Sequence, residues 1–597
     1  PGMHVYRINA NKWAISARGF AGRFANKMLV MIDGRTVYTP LFSGVFWDVQ
    51  DTMIEDIDRI EVIRGPGGTL WGTNAVNGVI NIITKESADT QGGLLSMEAG
   101  SHDTGTIGGR YGGWLNDSTS YRIYGKFFDR DNFETPSGDY AADNYHIGRA
   151  GFRMDKNLDG GDTMTLQGDI YSGMAAQLKN SLTLSAPYSN EFEDEAQLFG
   201  GNLLGRWNHV ISNSSDMSLQ LYYDRHKRDG EGFAETLDTF DVDFQHRFAL
   251  TKNQELLWGL GFRHRNNETS ATIDPVSGLY NLSLDPEKRN DELFSGFIQD
   301  RLSFADGKGE AKIGTKIEHN DYSGLEWQPS ASLLWNFSDT HAIWTAISRT
   351  VRTPSRAESN ATYNAHAFFN PGIPPAGMVT AMRVTANDEI DSEKMMSYEL
   401  GYRIRPTETI FIDITAFYSH YDDLTGGIAS GTPFPEPMPS PPHMVMPVTV
   451  DNSSDGESYG FELSGNWSVV DWWRLNVGYT WFHLNILNDD DVLFQRPGFG
   501  EDQQAQNKVT LSSYMDLPAN FELNATLSYI DKLLDMDIDS YVNCDLNLVW
   551  HPSRALTVTV GVRNLFDDSH SEFSSSQDGI IGSEIPRNVY GKLVWTF

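Results

Sequence analysis

The chain has 597 residues, with 80 acidic and 46 basic side chains, so it is too long for one ordinary globular core and too acidic for a nucleic-acid partner. The single cysteine, Cys544, excludes an internal disulfide and a thiolate metal cluster. The apolar runs are only a few residues long, which excludes a transmembrane helix, and the residues after Pro1 do not resemble a secretory leader, so we expect a mature or trimmed chain that starts inside a domain.

Residues 1–86 are nearly neutral, with 9 basic and 8 acidic side chains, whereas residues 87–597 carry 37 and 72. This break predicts a domain boundary near residue 86. In the first part, residues 28–32 predict a buried strand, and Asp33-Gly34 predicts a hairpin turn after which Val37 and Tyr38 continue the ladder. Residues 53–57 predict a short helix.

Residues 57–85 predict a strand, a tight glycine-rich turn, a bend of small residues and a second strand. The turn, Gly65-Pro66-Gly67-Gly68, lacks the Lys-Ser/Thr of a phosphate loop, and we expect it to open no helix. The chain also lacks the Gly-x-Ser-x-Gly and His-Glu-x-x-His motifs. The protein is therefore predicted not to be an enzyme.

From residue 92 onward, apolar and polar residues alternate strictly, as in Leu219-Gln220-Leu221-Tyr222-Tyr223. A period of two indicates strands with two different faces. About 22 such segments follow one another, an even number that suits a large bacterial barrel. The first begins near residue 92 and the last near residue 586, and two others begin near residues 197 and 457.

The links between these segments alternate in length. Every second link is a short turn, and most of the others are long, such as 174–196, 350–393 and 422–457. This pattern is typical of an outer-membrane barrel. We predict an all-β membrane protein: residues 87–597 form an antiparallel transmembrane barrel of about 22 strands, which leaves a wide aqueous lumen. Cys544 is expected to face lipid.

Residues 57–85 closely resemble the plug domain of TonB-dependent outer-membrane receptors. The resemblance implies that residues 1–86 form a small mixed α/β plug domain in the lumen of the barrel. The resemblance extends to Arg18-Gly19-Phe20 and to the strand that ends in Asp33-Gly34, and thus covers nearly all of residues 14–85. It lacks the earlier part of a plug, where the energy-coupling box is expected. Residues 348–356 resemble a recurrent segment of these receptors, and the final strand, which ends in Phe597, resembles the terminal recognition strand of outer-membrane barrels.

The resemblance implies active uptake of a scarce solute across the outer membrane, driven by a TonB-type inner-membrane complex that pulls on the plug. It favours a ferric siderophore as cargo and implies no intrinsic cofactor. Cobalamin, haem, copper and oligosaccharide remain alternatives. The competing classes are a passive porin, against which the plug motif argues, and a barrel lipase or protease, for which no catalytic set is found. The other expected partners are membrane lipid, lipopolysaccharide and, through Phe597, the barrel-assembly machinery; no nucleic acid is expected.

Charged residues are the natural means of holding a removable plug. Glu399 and Glu462 lie on the polar phase of their strands and resemble family positions at which barrel glutamates pair with plug arginines. Arg64 is the expected first partner, with Arg59 or Arg18 as the second. The alternative is ordinary lumen charge without contact to the plug.

The cargo is expected to meet the outer loops of the plug and the long loops of the barrel. Cations and aromatic rings suit an anionic, ring-bearing iron chelate, although the same rings could simply pack the plug against the barrel. The candidate residues are Arg18, Arg23, Phe42, Phe46 and Trp47 in the plug, and Arg352, Arg356, His366, Phe368, Phe369 and His443 in the barrel loops.

Other ligands would need other residues. Haem would require a histidine pair, for which His366 and His443 are the candidates, and copper could use His443 with methionines at 438, 444 and 446. Acidic runs at 191–195 and 489–491 could bind calcium. An incidental proline-rich loop and solvated charge are the favoured interpretations, so no metal site is predicted.

Overall fold

A computed structural model describes residues 1–272, 278–279, 282–369, 378–439, 441–489, 492–495, 503–574 and 579–597. Within these ranges, no helix combines the length and apolar character needed to cross a membrane. The residues of the predicted calcium run at 490–491 lie outside the described part.

The N-terminal region consists of two small sheets. Strands β1 (Met3–Arg7) and β2 (Trp13–Ala17) form an antiparallel hairpin. Strands β3 (Met28–Ile32), β4 (Arg35–Thr36), β5 (Ile57–Arg64) and β6 (Gly78–Thr84) form a second sheet in the order β4-β3-β6-β5, in which β3 and β6 run parallel. Four of the five β3 residues are buried, as its unbroken apolar sequence predicts.

The short helices of this region differ in part from expectation. The predicted helix at 53–57 is a 3-10 turn, Ile54–Asp56, and two further 3-10 turns span Trp47–Val49 and Ser87–Thr90. The glycine-rich turn does open one helical turn, α1 (Gly68–Trp71), which corrects the expectation that it would open none. A helical turn of four residues is too short to show the 3.6-residue periodicity from which helices are predicted, so the sequence pattern could not reveal it.

The rest of the chain is a succession of strands with short helical turns at Asp159–Gly161, α2 (Arg356–Asn360), Pro518–Asn520 and Leu534–Met536. In chain order, the strands are β7 (Gly92–Gly100), β8 (Gly105–Asn116), β9 (Thr119–Arg130), β10 (Tyr145–Asn157), β11 (Thr163–Leu182), β12 (Ser189–Ser212), β13 (Ser215–Gly230), β14 (Phe233–Thr251), β15 (Gln254–Ala271), β16 (Ser283–Leu284), β17 (Lys288–Phe304), β18 (Gly309–Asn320), β19 (Gly324–Ser338), β20 (His341–Arg352), β21 (Ala361–Phe369), β22 (Val379–Thr385), β23 (Glu393–Thr407), β24 (Ile410–Ala429), β25 (Phe434–Glu436), β26 (His443–Val470), β27 (Trp473–Asn488), β28 (Val492–Gln495), β29 (Asn507–Leu517), β30 (Phe521–Ile530), β31 (Tyr541–Ser553), β32 (Leu556–Arg563), β33 (Ser569–His570), β34 (Ile585–Pro586) and β35 (Asn588–Thr596).

Twenty-two of these strands close one antiparallel barrel, which confirms the predicted architecture and count. The last strand, β35, pairs with β32 on one side and with β7 on the other, so the barrel begins at Gly92 and leaves no free edge. Seven short strands, β16, β21, β22, β25, β28, β33 and β34, lie in the long loops. Because short turns of such barrels face the periplasm, the long loops mark the outer side.

The predicted alternation of apolar and polar faces is visible in the solvent exposure of successive side chains. On β13, Leu221 and Tyr223 are 42% and 43% exposed on the outer surface, while Tyr222 is 2% exposed in the lumen. Lipid selects apolar residues at every second position, so the pattern repeats along each membrane-spanning strand.

Two strand starts are wrong in the sequence prediction. Strand β12 begins at Ser189 rather than near 197, and β26 begins at His443 rather than near 457. Both strands extend past the barrel wall and keep pairing there, as in Leu182↔Ser189 between β11 and β12. Above the membrane no lipid selects apolar residues, so the alternation fades while the backbone ladder continues.

The N-terminal region, called the plug below, fills the lumen. Tyr6, Ile8 and Ala14 of its hairpin share an apolar cluster with Leu533 and Phe573 of the outer barrel loops. The tip of the hairpin is therefore held at the outer end of the barrel.

Candidate functional site

Arg18 connects the plug to two strands of the barrel. Its Nη1 lies 2.6 Å from Glu399 Oε1 on β23, and its Nε lies 2.9 Å from Glu462 Oε1 on β26. The guanidinium carbon also stands 4.2 Å from the centre of the Phe417 ring. Burial alone would lower the pKa of Arg18, but Glu462 and Glu399 outweigh burial and raise it. Arg18 thus stays charged and pairs with both of the barrel glutamates at which a plug arginine was expected, with 4% of its side chain exposed.

Arg64 completes this group. Its Nη1 lies 2.7 Å from Glu462 Oε2, so one buried glutamate serves two plug arginines. We call Arg18, Arg64, Glu399 and Glu462 the lock. Arg59 lies apart from it: its guanidinium is on the exposed edge strand β5 and pairs with Asp58 at 2.6 Å and Glu61 at 2.8 Å.

A glycine of the plug motif is required by the lock. Gly65 has φ of +89°, and a Cβ atom at this position would lie 2.6 Å from Glu399 Oε1 and 2.7 Å from Arg18 Nη1. An added side chain would therefore strain the backbone and push the ends of the Glu399 and Arg18 side chains aside. The glycine-rich sequence that first indicated the plug therefore allows the ion pair to form.

Lys27 and Arg352 form a second buried network beside the lock. Lys27 pairs with Glu393 on β23, and Arg352 binds the same carboxylate with Nε at 2.7 Å and Nη2 at 2.6 Å. Arg352 also donates from Nη1 and Nη2, each at 2.8 Å, to Glu358, the residue that closes the capping box of α2 with Ser355. Arg352 was predicted to bind cargo, but it is fully buried and ties the outer helix α2 to the plug.

The other predicted loop residues do not form one site. Arg356 is fully buried, and its Nη1 donates to the Asn267 carbonyl at 3.2 Å. His443 is also buried, with Nε2 lying 3.2 Å from Glu436 Oε2. His366 and Phe369 are exposed on β21, and Phe368 is half-buried between them.

The candidate haem pair and copper set are likewise dispersed. Strand β22 lies between His366 and His443, and His366 is opposite Met382, which aligns with Met446 rather than with His443. Met438 is 68% exposed whereas Met444 is 3% exposed. Within the described ranges, no group of three or more His, Cys, Asp or Glu side chains could hold a metal ion.

The predicted aromatic loop packs the plug against the barrel. Phe42 meets Phe24 and Phe46 edge to face, each at 5.0 Å between ring centres. Phe46 stacks on His226 of β13 at 5.3 Å. Trp47 packs on the plug core around Val45. These contacts support the packing interpretation of the rings.

Four cations gather at the outer end of the plug: Lys12 and Arg23 from the plug, and Lys179 of β11 and Arg228 of β13 from the barrel. Arg228 lies 4.5 Å from the Phe46 ring, and Arg23 lies 4.6 Å from the Phe24 ring. Arg23 Nη2 also reaches Gln177 Oε1 at 3.5 Å. We call these four residues the apical cation cluster.

Among the described residues, Asp48 and Asp194 pair with members of this cluster. Asp48 of the plug lies 2.5 Å from Arg228, and Asp194 pairs with Lys179. Burial lowers the pKa of Lys12 to about 7; Asp48 opposes the shift, while Arg23, Arg228 and Lys179 add to it. Protonation of Lys12 adds a further positive charge to this cluster.

The sequence indicated only Arg23 of this cluster. Lys12, Lys179 and Arg228 belong to three separate elements, and nothing in their spacing brings them together. The one available signal was that Lys179 and Arg228 come just before the outer ends of their strands, where loops meet the plug.

A second set of plug–barrel ion pairs has the opposite polarity. Asp51 lies 2.5 Å from Lys126 on β9, and Glu55 lies 2.8 Å from Lys592 on β35. Asp56 pairs with Arg110 on β8 and lies 3.6 Å from Arg122 on β9. Among the described residues, the plug presents cations to β13, β23 and β26, and acids to β8, β9, β13 and β35.

Comparisons with known proteins agree with this architecture. Residues 1–79 match the family model of the TonB-dependent receptor plug domain, and residues 92–565 match that of the TonB-dependent receptor-like β-barrel. A probable TonB-dependent siderophore receptor, PirA of Acinetobacter baumannii, is 23% identical over 95% of this chain and 85% of its own length. A ferric enterobactin receptor of Pseudomonas aeruginosa is 24% identical over 62% of this chain and 57% of its own.

Solved structures show the same fold. The siderophore receptor PirA from A. baumannii superposes with a TM-score of 0.77 at 17% identity, covering 100% of this chain and 94% of that one. A variant of the ferric enterobactin receptor of P. aeruginosa gives a TM-score of 0.75 at 18% identity, with the same coverage. Family members are transporters rather than enzymes. The chain therefore belongs to the TonB-dependent receptors, plugged 22-stranded barrels of the bacterial outer membrane whose transport depends on TonB coupling.

Proposed function

We propose that this receptor imports an anionic iron chelate of the ferric siderophore type. The observation that carries the proposal is the apical cation cluster, in which Lys12, Arg23, Lys179 and Arg228 meet at the outer end of the plug. A cargo with several negative oxygen atoms would accept charge-assisted hydrogen bonds from these cationic side chains.

The position of the cluster suits a first binding step. It joins the plug to β11 and β13, so a bound anion would contact both the removable domain and the fixed wall. The ring of Phe46 packs against both Arg228 and His226 and so helps to fix the place of Arg228 in the cluster. The similarity to siderophore and ferric enterobactin receptors supports the same class of cargo.

Two further partners belong to the proposal. The outward apolar face of the barrel would contact membrane lipid and lipopolysaccharide. Phe597, which is 67% exposed and packs on Trp595 at 4.6 Å, would present the final strand to the barrel-assembly machinery.

Growth and uptake measurements test the cargo. A strain that lacks its own iron receptors and carries this one is supplied with ferric enterobactin and other iron chelates, with and without an intact TonB complex. We expect TonB-dependent growth on at least one anionic chelate, and none after Arg23→Gln is combined with Lys179→Gln. Unchanged uptake of every iron chelate with and without the receptor would contradict the proposal.

A further inference from the structure

Three strands form a sheet within the outer loops. Strand β21 pairs antiparallel with β22, and β22 pairs parallel with residues 444–449 at the start of β26. From Ser454 onward, β26 pairs with β27 of the barrel. We call β21, β22 and residues 444–449 the loop sheet. It stands above the membrane, and residue 444 lies at its outer end, because β26 runs from the loops down into the barrel wall.

One face of the loop sheet changes from branched aliphatic to thioether side chains along its length. Val384 and Val448 are paired and belong to one buried apolar cluster. Two residues farther out on each strand, Met382 is paired with Met446, and Met444 follows two residues beyond Met446. Because side chains alternate between the faces of a sheet, all three methionines project from the face that carries the valines. Met382 and Met446 are half-buried rather than enclosed.

A β-bulge brings a histidine to the same face. Asn364 of β21 is opposite Arg383 of β22, but the next pair is His366 with Met382, so Ala365 is an extra residue. Without it, His366 would project from the opposite face, together with Asn364 and Arg383. Bulges re-aim side chains in this way and are frequent beside functional sites. His366 is exposed and stands at the edge of the methionine group.

The four side chains are close enough to share one ion. Adjacent strands lie about 4.7–4.9 Å apart, so His366, Met382 and Met446 form one row across the loop sheet. Met444 is the diagonal neighbour of Met382, a separation that long side chains bridge. Methionine is unbranched and flexible, and the sulfur atoms of these residues can therefore turn toward a common point.

The chemistry of this row favours a soft metal ion. Thioether sulfur selects monovalent copper, whereas hard cations prefer carboxylate and carbonyl oxygen, and imidazole nitrogen also suits copper. The carboxylate of Glu436 on the neighbouring strand β25 is engaged on the other face by Arg383, whose Nη2 lies 2.6 Å from Oε2. Packing alone explains methionine on an apolar face, but it explains neither the exposed histidine nor the bulge that places it there.

We propose that His366, Met382 and Met446, together with Met444, bind one monovalent copper ion at the outer end of the loop sheet. Imidazole nitrogen and thioether sulfur supply the ligands, and the buried valines beside them hold the strands in register. Binding displaces only the proton that His366 carries at low pH. The site takes a cation and shares no residue with the apical cation cluster, so it does not rest on the proposed iron-chelate function.

Competition for copper tests the site. Every protein carries Cys544→Ser, because a free thiol would itself bind monovalent copper. The purified receptor is titrated without oxygen into the coloured complex of monovalent copper with bathocuproine disulfonate, and the loss of colour gives the number and affinity of bound ions. Met382→Leu and Met446→Leu keep the side-chain volume, and His366→Phe keeps a ring, while each removes a ligand atom. Met438→Leu is the matched control, because Met438 is an exposed loop methionine outside the loop sheet.

We expect one bound copper ion in the parent protein and in Met438→Leu. Each site variant should bind copper at least about tenfold more weakly, a loss typical of removing even a residue that only orients a metal ligand. Copper affinity of the parent should also fall below about pH 6.5, where imidazole takes up a proton, and His366→Phe should lack this dependence. Without metal, all the variants should unfold at the temperature of the parent, which excludes misfolding as the cause.

Silver provides a second measurement, because it is a soft monovalent ion that does not change its oxidation state under these conditions. It should raise the unfolding temperature of the parent but not that of Met382→Leu or Met446→Leu, since a ligand that binds only the folded state stabilises it. A parent receptor that takes no copper from the competitor would overturn the inference. So would Met382→Leu and Met446→Leu proteins that bind copper as tightly as the parent.

Discussion

Arg18 of the plug and Glu462 of β26 form an ion pair of 2.9 Å, although 444 residues separate them in the chain. Their side chains are 4% and 1% exposed. Because Glu462 also holds Arg64, this carboxylate determines where two plug strands meet the barrel wall.

Replacing Glu462 with Gln should loosen the plug. The substitution leaves Arg18 and Arg64 beside a neutral amide, and breaking a buried ion pair in this way typically costs about 3–5 kcal/mol. We expect a lower unfolding temperature for the plug and a measurable conductance through the purified receptor in planar bilayers.

Glu61→Gln provides the control, because Glu61 pairs with Arg59 on the exposed strand β5. It should change neither quantity, since exposed pairs contribute only about 0–1 kcal/mol. Equal behaviour of the two variants would show that the lock does not seat the plug.

Gly65→Ala should weaken the same lock by collision. Its Cβ would fall 2.6 Å from Glu399 Oε1, at a φ of +89° that side chains rarely adopt. Gly307→Ala is the control that separates backbone strain from collision, because Gly307 has φ of +83° but no atom within 4 Å of the added Cβ. We expect backbone strain of roughly 1–3 kcal/mol in both variants. Only Gly65→Ala should also produce conductance in planar bilayers. A Gly65→Ala receptor without conductance would show that the added Cβ does not disturb the lock.

Cargo binding should strengthen as pH falls towards neutrality. The pKa of Lys12 is lowered to about 7, so the apical cation cluster gains a positive charge below that pH. A bound anion raises the pKa of this lysine above its value in the empty site, so affinity for an anionic chelate should rise as pH falls towards about 7 and level off below it. Quenching of tryptophan fluorescence by ferric enterobactin at several pH values measures this. Lys12→Gln should remove the dependence, and a Lys12→Gln receptor with an unchanged pH profile would exclude Lys12 as its source.

The same pKa shift has an opposite consequence for stability. The pKa of Lys12 is depressed in the folded protein relative to 10.5 in the unfolded chain, so the unfolded state binds more protons between these values. Stability should therefore rise with pH from about 7 to 10.5, and Lys12→Met should abolish this part of the rise. Chemical denaturation at a series of pH values checks the sign.

Removing one apical cation should weaken binding but not assembly. We expect Arg23→Gln to lower affinity for ferric enterobactin by about tenfold, equivalent to about 1.4 kcal/mol, with a larger loss at low salt. Arg225→Gln is the matched control, because Arg225 lies on the outer face of β13, two residues from Lys227 and on the opposite face from Arg228. Equal affinities of the two variants in a titration at low ionic strength would show that Arg23 does not contribute to cargo binding.

The sequence by itself determined the barrel and the presence of a plug. Lipid outside and water inside impose a period of two on every membrane-spanning strand, and short turns alternate with long loops, so the strand number could be counted directly. It also indicated Arg64, Glu399 and Glu462, since the glycine-rich motif and the polar phase of two strands marked them. The starts of β12 and β26 were not predicted, because the parts of strands above the membrane do not show the alternation of apolar and polar residues.

Only the tertiary structure decided which charges meet. Arg18 rather than Arg59 reaches Glu462, because the chain turns into the left-handed region at Arg18, with φ of +50°, and aims the side chain at β23 and β26. Arg352 proved to be a buried connector, and Lys12 joined Lys179 and Arg228 at the apex. Such contacts depend on how the plug is rotated inside the barrel, a relationship between residues hundreds of positions apart that local periodicity does not encode.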